Sequence, residues 1–164
     1  MWYILLAIIL IMIVYFLYFK DYVEVKKIFR ILIKTLDTRD LLIMKLVPEF
    51  KNKKERAEII KLVDGRMKSK RTSYTEQIKL DVELNDRLKE MYLDLEKERN
   101  NPVIKAALAN AFELEKTLKK VRDEYNMAVE KYNMNLIMHK FVCMRIIRMK
   151  PLDIYGKISH LEVR

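Results

Sequence analysis

Glycine and proline are scarce: the 164 residues include 2 Gly and 3 Pro. Few positions can therefore take positive φ, which disfavours hairpin-rich β folds. Phosphate-cradling loops, which need closely spaced glycines, are absent. One Cys and two His exclude a disulfide framework, a zinc finger and a zinc ribbon. Charge is missing from one place only. Residues 1–19 carry no charged side chain, whereas the chain as a whole holds 33 Lys and Arg against 23 Asp and Glu, a formal net charge of +10. The length is one domain's worth.

What is present first is an apolar run. Residues 2–19 read WYILLAIILIMIVYFLYF. As a helix this is roughly 27 Å long, close to the ~30 Å hydrocarbon core of a bilayer. Trp2 and Tyr3 mark one edge and Tyr15, Tyr18 and Phe19 the other, as in an interfacial aromatic belt. A secretory signal peptide fits poorly, because no basic stretch precedes the run and no small-x-small cleavage site follows it. The expectation is one uncleaved transmembrane helix in the cell membrane. Lys20, Lys26, Lys27 and Arg30 follow the run, which places Lys20–Arg164 in the cytoplasm by the positive-inside rule.

The remainder carries helical stripes. Tyr22, Val25, Phe29, Leu32, Leu36, Ile43, Leu46 and Phe50 recur at steps of three and four, with Arg39 on the seam where an apolar residue belongs. Nothing breaks the pattern between residue 2 and Val47, so the span continues into this helix until Pro48 stops it. Residues 53–70 form a short basic helix with Ala57, Ile60, Val63 and Met67 on one face. Thr72 or Ser73 can cap the next helix, with Glu76 completing a capping box; its stripe is Ile78, Leu84, Leu88, Met91 and Leu95. After the Asn100-Asn101-Pro102 break, Ile104, Ala111, Leu118, Tyr125 and Tyr132 fall seven apart, interleaved with Ala107, Leu114, Val121 and Ala128. Short loops between stripes imply antiparallel neighbours. The expected fold is all-α: an N-terminal transmembrane helix continuing into an antiparallel up-and-down bundle of about four helices. Its parts are an anchor at 1–19, a coiled-coil-like bundle at 20–135 and an apolar-basic tail at 136–164. Residues 136–150 contain cations and no acid, and either pack on the bundle or lie among lipid headgroups.

Tyr125–Asn133, YNMAVEKYN, resembles the YN-x-AV-x-x-YN signature of the LemA family of bacterial single-pass membrane proteins. Asn101–Lys105 (NPVIK), Leu114–Thr117 (LEKT) and Lys150-Pro151 followed by Tyr155 are similar to further family pieces in family order. Leu36, Arg39, Leu42, Ile43, Leu46 and Val47 are similar to another, upstream. Leu41 and Met44 stand where the family has Asp and Pro. The resemblance implies a membrane-anchored helical bundle and supplies no catalytic residues.

An enzyme needs converging acid, base or nucleophilic groups. His139 and His160 lie 21 apart, Cys143 is four after His139, and the acidic pairs Glu113/Glu115 and Asp123/Glu124 are not placed with a histidine as in di-iron bundles. No catalytic residue, cofactor, metal or small-molecule substrate is therefore expected. The function expected is a membrane-tethered scaffold that binds a protein partner. The alternative is a cytoplasmic-face binder of anionic lipid or nucleic acid through the basic helices, of which nucleic acid is the weaker because no recognition motif accompanies the charge. Two sets of residues are candidates for interaction. Residues 51–71 hold nine basic and three acidic side chains, led by Lys51, Lys53, Lys54 and Arg56, and could meet an anionic surface. Tyr125 and Tyr132 should face the core, leaving Asn126 and Asn133 on the flank. There the asparagines either tie off a neighbouring segment or form a paired docking site about 10.5 Å apart.

Overall fold

The computed structural model describes residues 2–69, 74–97, 101–138 and 149–155. The expected Thr72 or Ser73 cap, His139, Cys143 and His160 lie outside these residues. Four helices follow one another: α1 (Trp2–Leu46), α2 (Lys53–Ser69), α3 (Tyr74–Glu96) and α4 (Pro102–Met138), with a 3-10 turn at Val47–Glu49. Among the described residues there is no strand.

Local chemistry explains the boundaries. Pro48 cannot continue α1, and the chain tightens into the 3-10 turn, closed by the Phe50 amide donating to the Val47 carbonyl at 3.1 Å. The Asn52 side chain then accepts from the Lys54 and Glu55 amides at 3.2 and 3.3 Å, capping α2. Asn101 caps α4 in the same way, accepting from the Val103 amide at 3.0 Å. Pro102 fills the first helical position, where an amide proton would have no partner.

The helices alternate in direction. Tyr18 of α1 donates to the Asn135 carbonyl of α4, and Phe29 lies against Tyr125, so α1 and α4 are antiparallel. Glu55 of α2 meets Arg87 of α3, and Ser69 meets Gln77, so that pair is antiparallel too. The result is the expected up-and-down bundle. The apolar run projects beyond it, with nearly all side chains from Trp2 to Leu17 exposed; only Val14 and Tyr18 of the run reach the bundle, and α1 is the one described helix long and apolar enough to cross a membrane.

Two apolar cores stack along α1 and α4. The proximal core, nearer the apolar run, takes Val25, Phe29, Leu32 and Leu36 from α1 and Leu118, Tyr125, Val129 and Tyr132 from α4. Tyr155, from beyond α4, completes it. The distal core joins Ile43, Leu46 and Phe50 to Ile59 and Val63 of α2, Leu84, Leu88 and Met91 of α3, and Leu108 and Ala111 of α4.

Three expectations shift. On α4 the seven-apart set is buried throughout, but of the interleaved set only Val121 is; Ala107, Leu114 and Ala128 are half-buried, and Leu108, Val129 and Leu136 are buried instead. A straight helix of 3.6 residues per turn drifts from a 3.5 repeat by about 20° per heptad, which moves the seam one residue on. On α2, Ile59, Val63 and Arg66 are buried and Ala57 is exposed, because the helix turns Arg66 toward acids on α1. Finally, the bundle does not end at 135: α4 runs to Met138 and residues 149–155 pack into the proximal core.

Candidate functional site

The two Tyr-Asn pairs build one feature. Tyr125 and Tyr132 are one heptad apart on the buried face of α4. They lie against Phe29 and Tyr22, also seven apart, with ring centroids 5.6 and 5.9 Å away. Burying a tyrosine leaves a hydroxyl that needs a partner. Tyr125 Oη donates to the Asp153 carbonyl and Tyr132 Oη to the Lys150 carbonyl, both at 3.2 Å. Each following asparagine spends its amide on both polar atoms of one backbone unit. Asn126 Oδ1 accepts from the Tyr155 amide at 2.7 Å while Nδ2 donates to the Tyr155 carbonyl at 3.2 Å. Asn133 does the same with Leu152, at 2.9 and 2.7 Å.

Residues 149–155 thus form a strap running antiparallel to α4. Its repeat is three: carbonyls 150 and 153 go to tyrosines, and residues 152 and 155 go to asparagines. Seven helical residues rise about 10.5 Å, and three extended residues span about 10 Å, so the two repeats match. Pro151, which has no amide proton, occupies a position where the ladder requires none. Side chains add to the hold: Arg122 stacks over the Tyr155 ring at 4.9 Å, Thr75 donates to Asp153, and Met149, Leu152 and Ile154 pack on the proximal core.

The second feature is a charged layer between the two cores. Arg39, Asp40, Arg66 and Asp81 are fully buried. Arg39 bonds to Asp81 and, at 2.7 Å, to Asn85 Oδ1. Arg122 of α4 reaches the same two residues at 3.0 and 3.2 Å. Arg66 of α2 bonds to Asp40 through both Nε and Nη2, and to Asp37 at 2.9 Å. Glu115 stands 3.8 Å from Arg39 and 3.9 Å from Arg122. Burial works against the Arg39 cation, but Asp81, Glu115 and Asp40 outweigh it and raise its pKa. Burial raises the Asp40 and Glu115 carboxyls above their ordinary range, with the arginines pulling back only part of the way. Charges from all four helices meet here, so the layer ties all four helices to one another.

The chain matches no family model, no curated protein and no solved structure.

The residues singled out from the sequence divide three ways. Tyr125 and Tyr132 face the core as expected. Of the two readings of Asn126 and Asn133, the structure shows the first: both amides tie off a segment of the same chain, at residues 155 and 152. Among the described residues of the basic set, Arg66 is buried in the charged layer while Lys61 and Lys68 are exposed. Lys53 and Lys54 are exposed at the start of α2, Arg56 reaches the Pro48 carbonyl at 3.4 Å, and Glu55 and Glu58 hold Arg87 at 3.0 and 2.8 Å. Lys51 lines a cleft of about 390 Å³ at the distal tip together with Glu49, Asp94 and Lys97, a mixed-charge surface. Among the described residues no three His, Cys, Asp or Glu side chains gather as metal ligands.

The layer and the strap were the features missed. Arg39 on an apolar seam, and the six-residue step from Ile78 to Leu84 with Asp81 between them, were the signals of the layer. The strap has no periodicity of its own.

Proposed function

We propose that this chain is a single-pass, membrane-anchored helical scaffold of the LemA type, non-enzymatic, with its bundle on the cytoplasmic side and a protein as its partner. The observation that carries the reading is the unbroken α1: an exposed apolar run passes without a kink signal into a helix whose every second half-turn is core. Removal of the run as a signal sequence would cut a continuous helix directly beside Tyr18, a core residue. Lys20, Lys26, Lys27 and Arg30 follow the run and favour retention on the cytoplasmic side.

The LemA reading gains support from where its pieces lie. The YN repeat and the Lys150-Pro151…Tyr155 piece are distant in sequence and bond to each other in the fold. Arg39, from the upstream piece, sits at the centre of the charged layer.

Carbonate washing should leave the full chain in the membrane pellet. A β-galactosidase fused at the C-terminus should be active and an alkaline phosphatase there inactive; the reverse pattern overturns the orientation. Hydrolase or transferase turnover that persists through rigorous purification overturns the non-enzymatic role. Affinity capture of the tagged chain from detergent-solubilised membranes should recover a stoichiometric protein partner, and its repeated absence counts against the scaffold.

A further inference from the structure

The ladder on α4 reads main chain, not side chains. Its four residues contact carbonyls 150 and 153 and the amide and carbonyl of 152 and 155. Such contacts are the same whichever copy of the chain supplies the extended segment, as in other modes of backbone-directed peptide capture. Position adds to this. Tyr132 lies against Tyr22, three residues past the apolar run, so the ladder and the strap sit just beyond the span. Copies anchored in one membrane would hold both at one height, and confinement to that plane raises their effective concentration for each other. A strap that leaves its own α4 exposes Tyr155 and the flank of an apolar core, which only another strap of the same shape restores.

We propose that the Tyr-Asn ladder is a receptor for an extended peptide segment, and that neighbouring copies of this chain exchange straps, the 149–155 segment of one docking on α4 of the next. The shared height rests on the membrane-anchored reading above; the chemistry of the ladder does not.

Two differently tagged full-length chains test the exchange. One carries Asn126→Ala with Asn133→Ala and keeps its strap. The other carries Leu152→Pro with Tyr155→Pro, which removes both amide protons the asparagines accept, and keeps its ladder. Co-expressed in one membrane and solubilised in mild detergent, this complementary pair should co-purify at least about tenfold more than either variant with its own kind, since the like pairs lack two or four of the amide contacts. Equal recovery in the mixed and like pairs overturns exchange. Carbonate extraction of the same membranes reports separately on the anchor. A second measurement does not depend on pairing. A fluorescein-labelled peptide, Met-Lys-Pro-Leu-Asp-Ile-Tyr, should bind the strap-broken full chain in detergent and lose at least about tenfold in affinity when Asn126→Asp and Asn133→Asp are added, since each carboxylate keeps the acceptor and loses the donor. Equal affinity for both chains, or binding to neither while circular dichroism shows both helical, overturns the receptor.

Discussion

The distal and proximal halves of the bundle complete the same pair of helices by different means. In the distal half, α1 and α4 are covered by a helical hairpin, and the contacts are apolar side chains at three- and four-residue spacing. In the proximal half, beyond the reach of Ile78 and Val82 at the start of α3, they are covered by seven residues of irregular chain, held by hydrogen bonds from two tyrosines and two asparagines to its backbone. A helix satisfies its own backbone and needs only apolar fit. An extended strap has an unsatisfied backbone edge, and it can be buried only where side chains supply donors and acceptors at its own repeat. The charged layer separates the two solutions and belongs to both.

That comparison can be broken at its junction. Arg39→Ala leaves Asp81 buried without its main partner, and it should cost roughly 3–5 kcal/mol and destabilise both halves together in urea melts of the detergent-solubilised chain. Leu88→Ala should cost roughly 2–5 kcal/mol through the cavity it opens, with hydrogen exchange accelerating first in α2 and α3. Asn133→Ala strips the partners from both polar atoms of residue 152. The expected cost is about 1–3 kcal/mol, seen as faster exchange of the Leu152 amide while the distal half stays protected.

A smaller effect concerns pH. Burial raises the Glu115 pKa above its ordinary value of 4.5 in spite of Arg39 and Arg122. A carboxyl whose folded pKa is the higher one contributes stability that is full below the unfolded pKa and lost as pH rises through the folded one. Glu115→Gln should therefore flatten the decline in Tm from acidic toward neutral pH. Smallest of all, Lys89→Ala, which removes an exposed pairing with Asp86, should change stability by no more than about 0.5 kcal/mol.

The distal half was nearly transparent in the sequence, because side-chain packing between helices writes itself as periodicity. Every distal member of the α3 stripe, Leu84, Leu88, Met91 and Leu95, is buried there, and Pro48 and Asn101-Pro102 mark real ends. The α2 face was read slightly askew because an arginine, not an alanine, points inward there. The proximal half was legible on one side only. The heptad spacing of Tyr125 and Tyr132 gave their burial, but what Asn126 and Asn133 hold lies 19 to 29 residues away in a segment without pattern. Backbone recognition leaves no mark on the sequence being recognised beyond what it forbids, and Pro151 is the one such mark. The partners of Arg39 were hidden for a related reason: an ion pair 42 residues apart is a matter of register between helices, which no single stripe encodes.

The continuity of α1 makes the molecule a lever. On the membrane-anchored reading proposed above, its fulcrum would be the bilayer interface near Phe19, and its arm, the 27 residues from Lys20 to Leu46, is roughly 40 Å long. Transmembrane helices lean by about 20° on average and adjust that lean to bilayer thickness. Swung from upright to such an angle, the arm would carry the Pro48 turn and the start of α2 sideways by about 14 Å, so on that reading a change in membrane thickness would become a displacement of the distal end of the bundle.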